Sequence, residues 1–88
     1  MKVKHGFVMS AVGEDHILVP TGDAAKTFHG LVRLNETGAE IWKGLEKELS
    51  VDEIVNQLMA RYTDVDRETV ENSVLKAIGK FKDAGLLE

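Results

Sequence analysis

The chain of 88 residues contains no cysteine, which excludes disulfides, thiolate nucleophiles and cysteine-ligated metals. It also lacks an apolar run of the ~20 residues that a membrane-spanning helix needs. Lys2 and Lys4 stand near the amino end, but the apolar stretch Phe7 to Val12 is broken by Ser10 and followed by Glu14 and Asp15. That is a poor signal peptide, so the expected location is the cytoplasm, with no membrane partner. No glycine-rich phosphate loop, no H-E-x-x-H and no nucleophile–base spacing is present, and a chain this short has little room for a closed pocket. Neither enzymatic activity nor a cofactor is expected. His5, His16 and His29 fall on different segments with no i, i+4 pair, so no metal site is expected either.

What is present is the composition of an ordinary folded protein, 43% hydrophobic and 30% charged. The length supports one domain, residues 1–88, with one modest core. Charge is unevenly divided. Residues 1–34 carry four basic and three acidic side chains, a net +1, while residues 35–88 carry seven basic and twelve acidic, a net −5. An acidic second half disfavours nucleic acid as its partner.

The two halves also differ in period. In the first, Phe7–Val12 alternates, Gly13-Glu14-Asp15 signals a turn, and His16–Pro20 is a second alternating run. Thr21–Lys26 reads as a hairpin loop and Thr27–Leu34 as a third strand. Pairing Val19 with Phe28 gives an inward set of Phe7, Met9, Ile17, Val19, Phe28, Val32 and Leu34, with His29, Leu31 and Arg33 outward; a slip of one residue exchanges the faces. In the second half, apolar residues recur at three and four. Thr37 with Glu40 predicts a capping box for a first helix with Ile41, Trp42, Leu45 and Leu49 as its stripe. Ser50 with Glu53 predicts a second box, followed by Val51, Ile54, Val55, Leu58, Met59 and Tyr62. Asp66 caps a third helix carrying Val70, Val74, Ile78 and Phe81, which Gly85 stops so that Leu86 and Leu87 fold back. The expected fold is α+β, a three-stranded antiparallel sheet followed by a three-helix bundle.

Between the halves stands Leu34-Asn35-Glu36-Thr37-Gly38-Ala39-Glu40-Ile41-Trp42. With Ser50–Ile54, Tyr62, Asp64–Asp66 and the closing Ala84–Leu87, this junction resembles the PqqD-like family, named after coenzyme PQQ synthesis protein D. The resemblance covers essentially the whole chain. It implies a winged helix-turn-helix variant acting as a peptide chaperone, or RiPP recognition element. Such a domain holds the leader of a ribosomally made precursor peptide and presents it to a modifying enzyme such as a radical SAM protein. The leader is laid beside the third strand as an added antiparallel strand, with side chains in the groove between that strand and the third helix. The stretch Lys43–Leu49 has neither the cysteine nor the Asp-Gly of the Cys-Asp-Gly-like element in the PQQ protein, which points to a relative serving another modified-peptide pathway.

The residues support such a role on physical grounds. An open sheet edge offers unpaired N–H and C=O groups to an extended peptide. The segment Thr27, Phe28, His29, Gly30, Leu31, Val32, Arg33 has no proline and one charge, and Gly30 permits close backbone approach. Val74, Leu75, Ile78, Gly79 and Lys82 are the candidates for the groove. Gly79 either opens space for an apolar anchor or eases packing of the third helix on the first. Trp42 reads as core rather than ligand platform, and Asn35 as satisfying backbone groups at the strand-to-helix turn. Lys76, Lys80 and Lys82 read as a solvated face complementing the helix dipole, with an acidic leader as the alternative. The rival functions are a winged-helix DNA-binding regulator and a module that docks only the modifying enzyme. From Asp66 to Gly85 four basic residues balance four acidic ones, which gives DNA phosphates little to bind. An exposed strand edge also allows a monomer to associate weakly into a homodimer.

Overall fold

A two-residue turn decides which face of the sheet is inside. In this computed structural model, which describes residues 2–27 and 31–88, β1 (Phe7–Val12) pairs antiparallel with β2 (Asp15–Pro20), Val12 opposite Asp15 and Met9 opposite Leu18. Gly13 takes φ 63° at the first position of the turn, a conformation glycine adopts without steric cost. Residues directly opposite share a face, so an inward Met9 brings Leu18 inward with it. Leu18 is completely buried, whereas Ile17 and Val19 are half-buried on the outer face with the exposed Val8 and Val12. The expected inward set is therefore corrected in β2: even-numbered residues, not Ile17 and Val19, face the helices.

The third strand is shorter than the sequence suggests. Thr21–Lys26 is not a plain loop; one helical turn, α1 (Ala24–Thr27), takes its end. Its start is tied to β1's approach, since the Thr21 N–H and hydroxyl both donate to the Gly6 carbonyl. Thr27 thus belongs to α1. Phe28, His29 and Gly30 lie outside the described residues, and the expected Val19–Phe28 pairing with them. Leu31 precedes the strand and is exposed. The observed strand is β3 (Val32–Leu34), with Leu18 opposite Val32 and His16 opposite Leu34. The order β1-β2-β3 leaves β3 at an edge.

Three longer helices follow: α2 (Glu36–Glu46), α3 (Val51–Arg61) and α4 (Arg67–Asp83). The cap of α2 differs from expectation. Asn35, in extended conformation, accepts from the Gly38 N–H at 2.7 Å, so Thr37 already lies in the first turn and Glu40 is free to accept from Arg61 of α3. Asn is as good an N-cap as Thr, and its position two residues earlier satisfies an otherwise orphaned donor. Arg61 also pairs with Glu36. The α2 stripe ends before Leu49, which lies beyond Glu48, a residue in the left-handed region at φ 59°. The Ser50–Glu53 box is present. At the end of α4, Gly85 takes φ 78° while the Leu86 N–H donates to the Phe81 carbonyl at 2.9 Å and the Gly85 N–H to that of Lys82, a Schellman motif. Leu86 is thereby buried, and Val3 bridges Leu87.

Asp66 caps α4 by accepting from the Thr69 N–H at 2.7 Å, and this bond, aided by the Thr69 side chain, holds its carboxyl below the ordinary value of 3.8. A depressed folded-state pKa stabilises above the unfolded value and loses that stabilisation as pH falls through the folded one. Asp66→Asn keeps a good cap without the titration. Thermal melts from pH 7 to 2.5 are expected to show wild type losing more stability below pH 3.8 than the Asn variant. Parallel curves would mean the cap bond does not depend on the carboxylate.

One core joins sheet and helices: Leu18 and Leu34 from the sheet, Ile41, Trp42 and Leu45 from α2, Ile54, Val55 and Leu58 from α3, and Val70, Val74, Ile78 and Phe81 from α4. Trp42 stacks edge-on against Phe81 at 5.3 Å and 79°, as the core reading of this residue requires.

Candidate peptide-binding groove

Between the open edge of β3 and α4 runs a groove of about 440 Å³. Three segments build it. β3 and the turn after it supply Val32, Arg33, Leu34 and Asn35, because alternation sends Val32 and Leu34 toward the helices and Arg33 away. The first turn of α2 supplies Thr37 and Gly38, with Ile41 below them. The wall is the α4 stripe Ser73, Lys76, Ala77, Lys80, Phe81 and Ala84, and Leu86 closes the end. Leu34, Ile41, Phe81 and Leu86 are buried, so the floor is apolar and shared with the core. Lys76 and Lys80 are exposed on the rim. Ser73 is not a free nucleophile, since its hydroxyl donates to the Thr69 carbonyl at 3.0 Å.

Of the expected site residues, Thr27 lies in α1 and Phe28, His29 and Gly30 fall outside the described residues. Val32 and Arg33 lie on the edge strand, and Leu31 is exposed just before it. Val74 and Ile78 are buried in the core beneath the groove wall. Leu75, Gly79 and Lys82 fall about half a turn round α4 from Ser73, Ala77, Lys80 and Ala84, on the far side from the groove. A Cβ at Gly79 would meet nothing within 4 Å, so this glycine neither opens the groove nor eases packing on α2. Gly79→Ala is therefore expected to stabilise by about 1 kcal/mol through helix propensity, raising Tm by roughly 4–8 °C. A lower Tm would reveal a neighbour that the geometry does not contain. The wall residues Ser73, Ala77 and Ala84 were legible only as a stripe of small residues beside the core stripe.

Two other depressions differ in character. One of about 640 Å³ at the chain ends mixes Lys4 and His5 with Asp23 and Glu88; a smaller one of about 180 Å³ lies between Thr37, Tyr62, Val65 and Ser73. Among the described residues, no group of three His, Asp or Glu is arranged to hold a metal ion, and no helix is long and apolar enough to cross a membrane.

Two solved structures share this architecture. The chain in "TbiB1 in Complex with the TbiA(beta) Leader Peptide" matches with TM-score 0.79 and 27% identity, over 100% of this chain and 95% of that one. "Lasso peptide synthetase B1 complexed with the leader peptide" matches with TM-score 0.78 and 17% identity, over 99% and 95%. No match is found among curated proteins. The family model for coenzyme PQQ synthesis protein D (PqqD) matches residues 15–87, spanning β2 through the folded-back end of α4. With β2, the β3 edge, the groove and all three longer helices covered by that match, this protein belongs to the PqqD family.

Proposed function

We propose that the protein is a non-catalytic, cytoplasmic chaperone that binds the leader of a ribosomally synthesised precursor peptide and presents it to a modifying enzyme. One observation carries the reading: β3, at the edge of the sheet among the described residues, runs beside a groove with an apolar floor walled by α4. An extended peptide added to β3 gains main-chain hydrogen bonds from the edge and side-chain selectivity from the groove. The similarity to TbiB1, whose structure contains a leader peptide, supports the same use here. On this reading Val32, Arg33 and Leu34 pair with the leader, and Ser73, Ala77 and Phe81 receive its side chains. A radical SAM protein is one class of enzyme to which the leader would be delivered. Binding at β3 leaves the β1 edge for weak association with a second copy.

A titration followed by 15N–1H correlation spectra tests the reading, with a synthetic leader from a short reading frame beside the gene and a DNA duplex as control. The expected result is peptide-dependent shifts clustered on Val32–Leu34 and Ser73–Ala84, with none from DNA. Shifts at α4 from DNA and none from peptide would replace it with the regulator reading.

A further inference from the structure

The rim of the groove is basic in a chain that is acidic as a whole. Lys76 and Lys80 stand on its rim and neither Asp nor Glu lines it, in a protein of net charge −4; the Arg33 backbone borders it while the Arg33 side chain points away. Arg33 reaches Asp15 only at 3.9 Å, across the exposed outer face. Among the described residues, Lys76 and Lys80 have no carboxylate within ion-pair distance; Asp83, three residues beyond Lys80, neither lines the groove nor pairs with it. Helix-dipole complementarity accounts for Lys80 in the last turn of α4, but Lys76 lies further in, and that effect fades beyond one turn.

We infer that the groove selects leaders in which an apolar side chain is followed or preceded, two residues away, by a carboxylate. The inference rests on the leader-binding reading and specifies its ligand. From Ser73 to Ala84 the wall rises ~16 Å, which accommodates three alternate side chains of an extended peptide at ~6.7 Å intervals. One of the three sits over Ile41, Ala77 and Phe81, an apolar floor against which an apolar side chain is favoured. Its neighbours on the same face reach the rim, where the side chains of Lys76 and Lys80 leave α4 one helical turn apart. A carboxylate there gains two cations without displacing an existing ion pair; a basic side chain meets like charge.

Selection of binders from a library of randomised ten-residue peptides tests this, using the full chain, its Lys76→Gln/Lys80→Gln variant and its Lys76→Glu/Lys80→Glu variant. Both lysines are exposed, so the variants should fold, which circular dichroism checks. Wild type should enrich Asp or Glu two positions from an apolar residue. The Gln variant should keep the apolar preference and lose the acidic one, and the Glu variant should favour Lys or Arg. For an enriched peptide, replacing the acid by its amide should weaken binding by about 2–20-fold, the range for one or two exposed ion pairs, and less at 0.5 M salt. Enriched peptides that shift groove resonances without any acidic preference, or whose preference survives in the Gln variant, would overturn the charge rule and leave leader binding standing. Enriched peptides that shift resonances elsewhere, or a selection that enriches none, would overturn both.

Discussion

Ala77→Trp is expected to weaken leader binding by about 10–150-fold, equivalent to the ~1.5–3 kcal/mol of one apolar anchor kept out of its site. Ala77 stands at the middle of the groove wall, between Ser73 and Phe81 and facing Val32 and Leu34 across the opening. An indole there fills space that is open to solvent, so the core beneath it (Val74, Ile78, Phe81) need not move. Leu75→Trp is the matched control, because Leu75 is exposed on the opposite side of α4. Calorimetric titration with the same leader should separate the two variants, with Leu75→Trp and Gly79→Ala binding like wild type. If Leu75→Trp loses affinity and Ala77→Trp keeps it, the peptide lies on the other face of the helix.

The second large effect concerns the sheet. Leu18→Ala removes a completely buried side chain at the centre of the sheet's inner face, and Leu→Ala changes at such sites cost ~2–5 kcal/mol. A domain of this length is stabilised by only roughly 4–13 kcal/mol in total. Tm should therefore fall by about 8–40 °C. Ile17→Ala, one residue away on the outer face, should cost about 1 kcal/mol or less. Thermal melts of the two variants read the register directly. Comparable losses, or a larger loss at Ile17, would mean that β2 presents its other face to the helices.

These two experiments fall where sequence and structure part company. Helix positions were legible because their signals are local: Ser50, Glu53 and Asp66 cap where their side chains can reach nearby N–H groups, and Gly85 sits where a left-handed residue is needed. Asn35 competed with Thr37 for the same role, and the residue nearer the strand took it. The face of β2 was not legible from β2 alone. Ile17 and Val19 alternate as well as Leu18 and Pro20 do, and only the pairing through Gly13 and Glu14 selects between them. Alternation in Thr27–Leu34 carries no mark of the helical turn that ends at Thr27, so the sequence alone overextends the third strand.

The groove followed the same rule. That it would lie between the third strand and the last helix came from a family resemblance, but which helix face lines it depends on how α4 rolls against α2 and β3. Apolar weight put Leu75 and Ile78 forward; packing instead turned the small residues Ser73, Ala77 and Ala84 toward the strand edge. Lys76 and Lys80, read from sequence as a solvated face, stand on the groove rim.

The most direct test of the account is an isotope-edited NOE spectrum of the labelled protein bound to an unlabelled leader peptide. Strand addition predicts intermolecular backbone contacts in an antiparallel pattern along Val32–Leu34, with peptide side-chain contacts to Ala77 and Phe81. Backbone contacts to β1 instead, or side-chain contacts alone with no backbone contacts to β3, would contradict it.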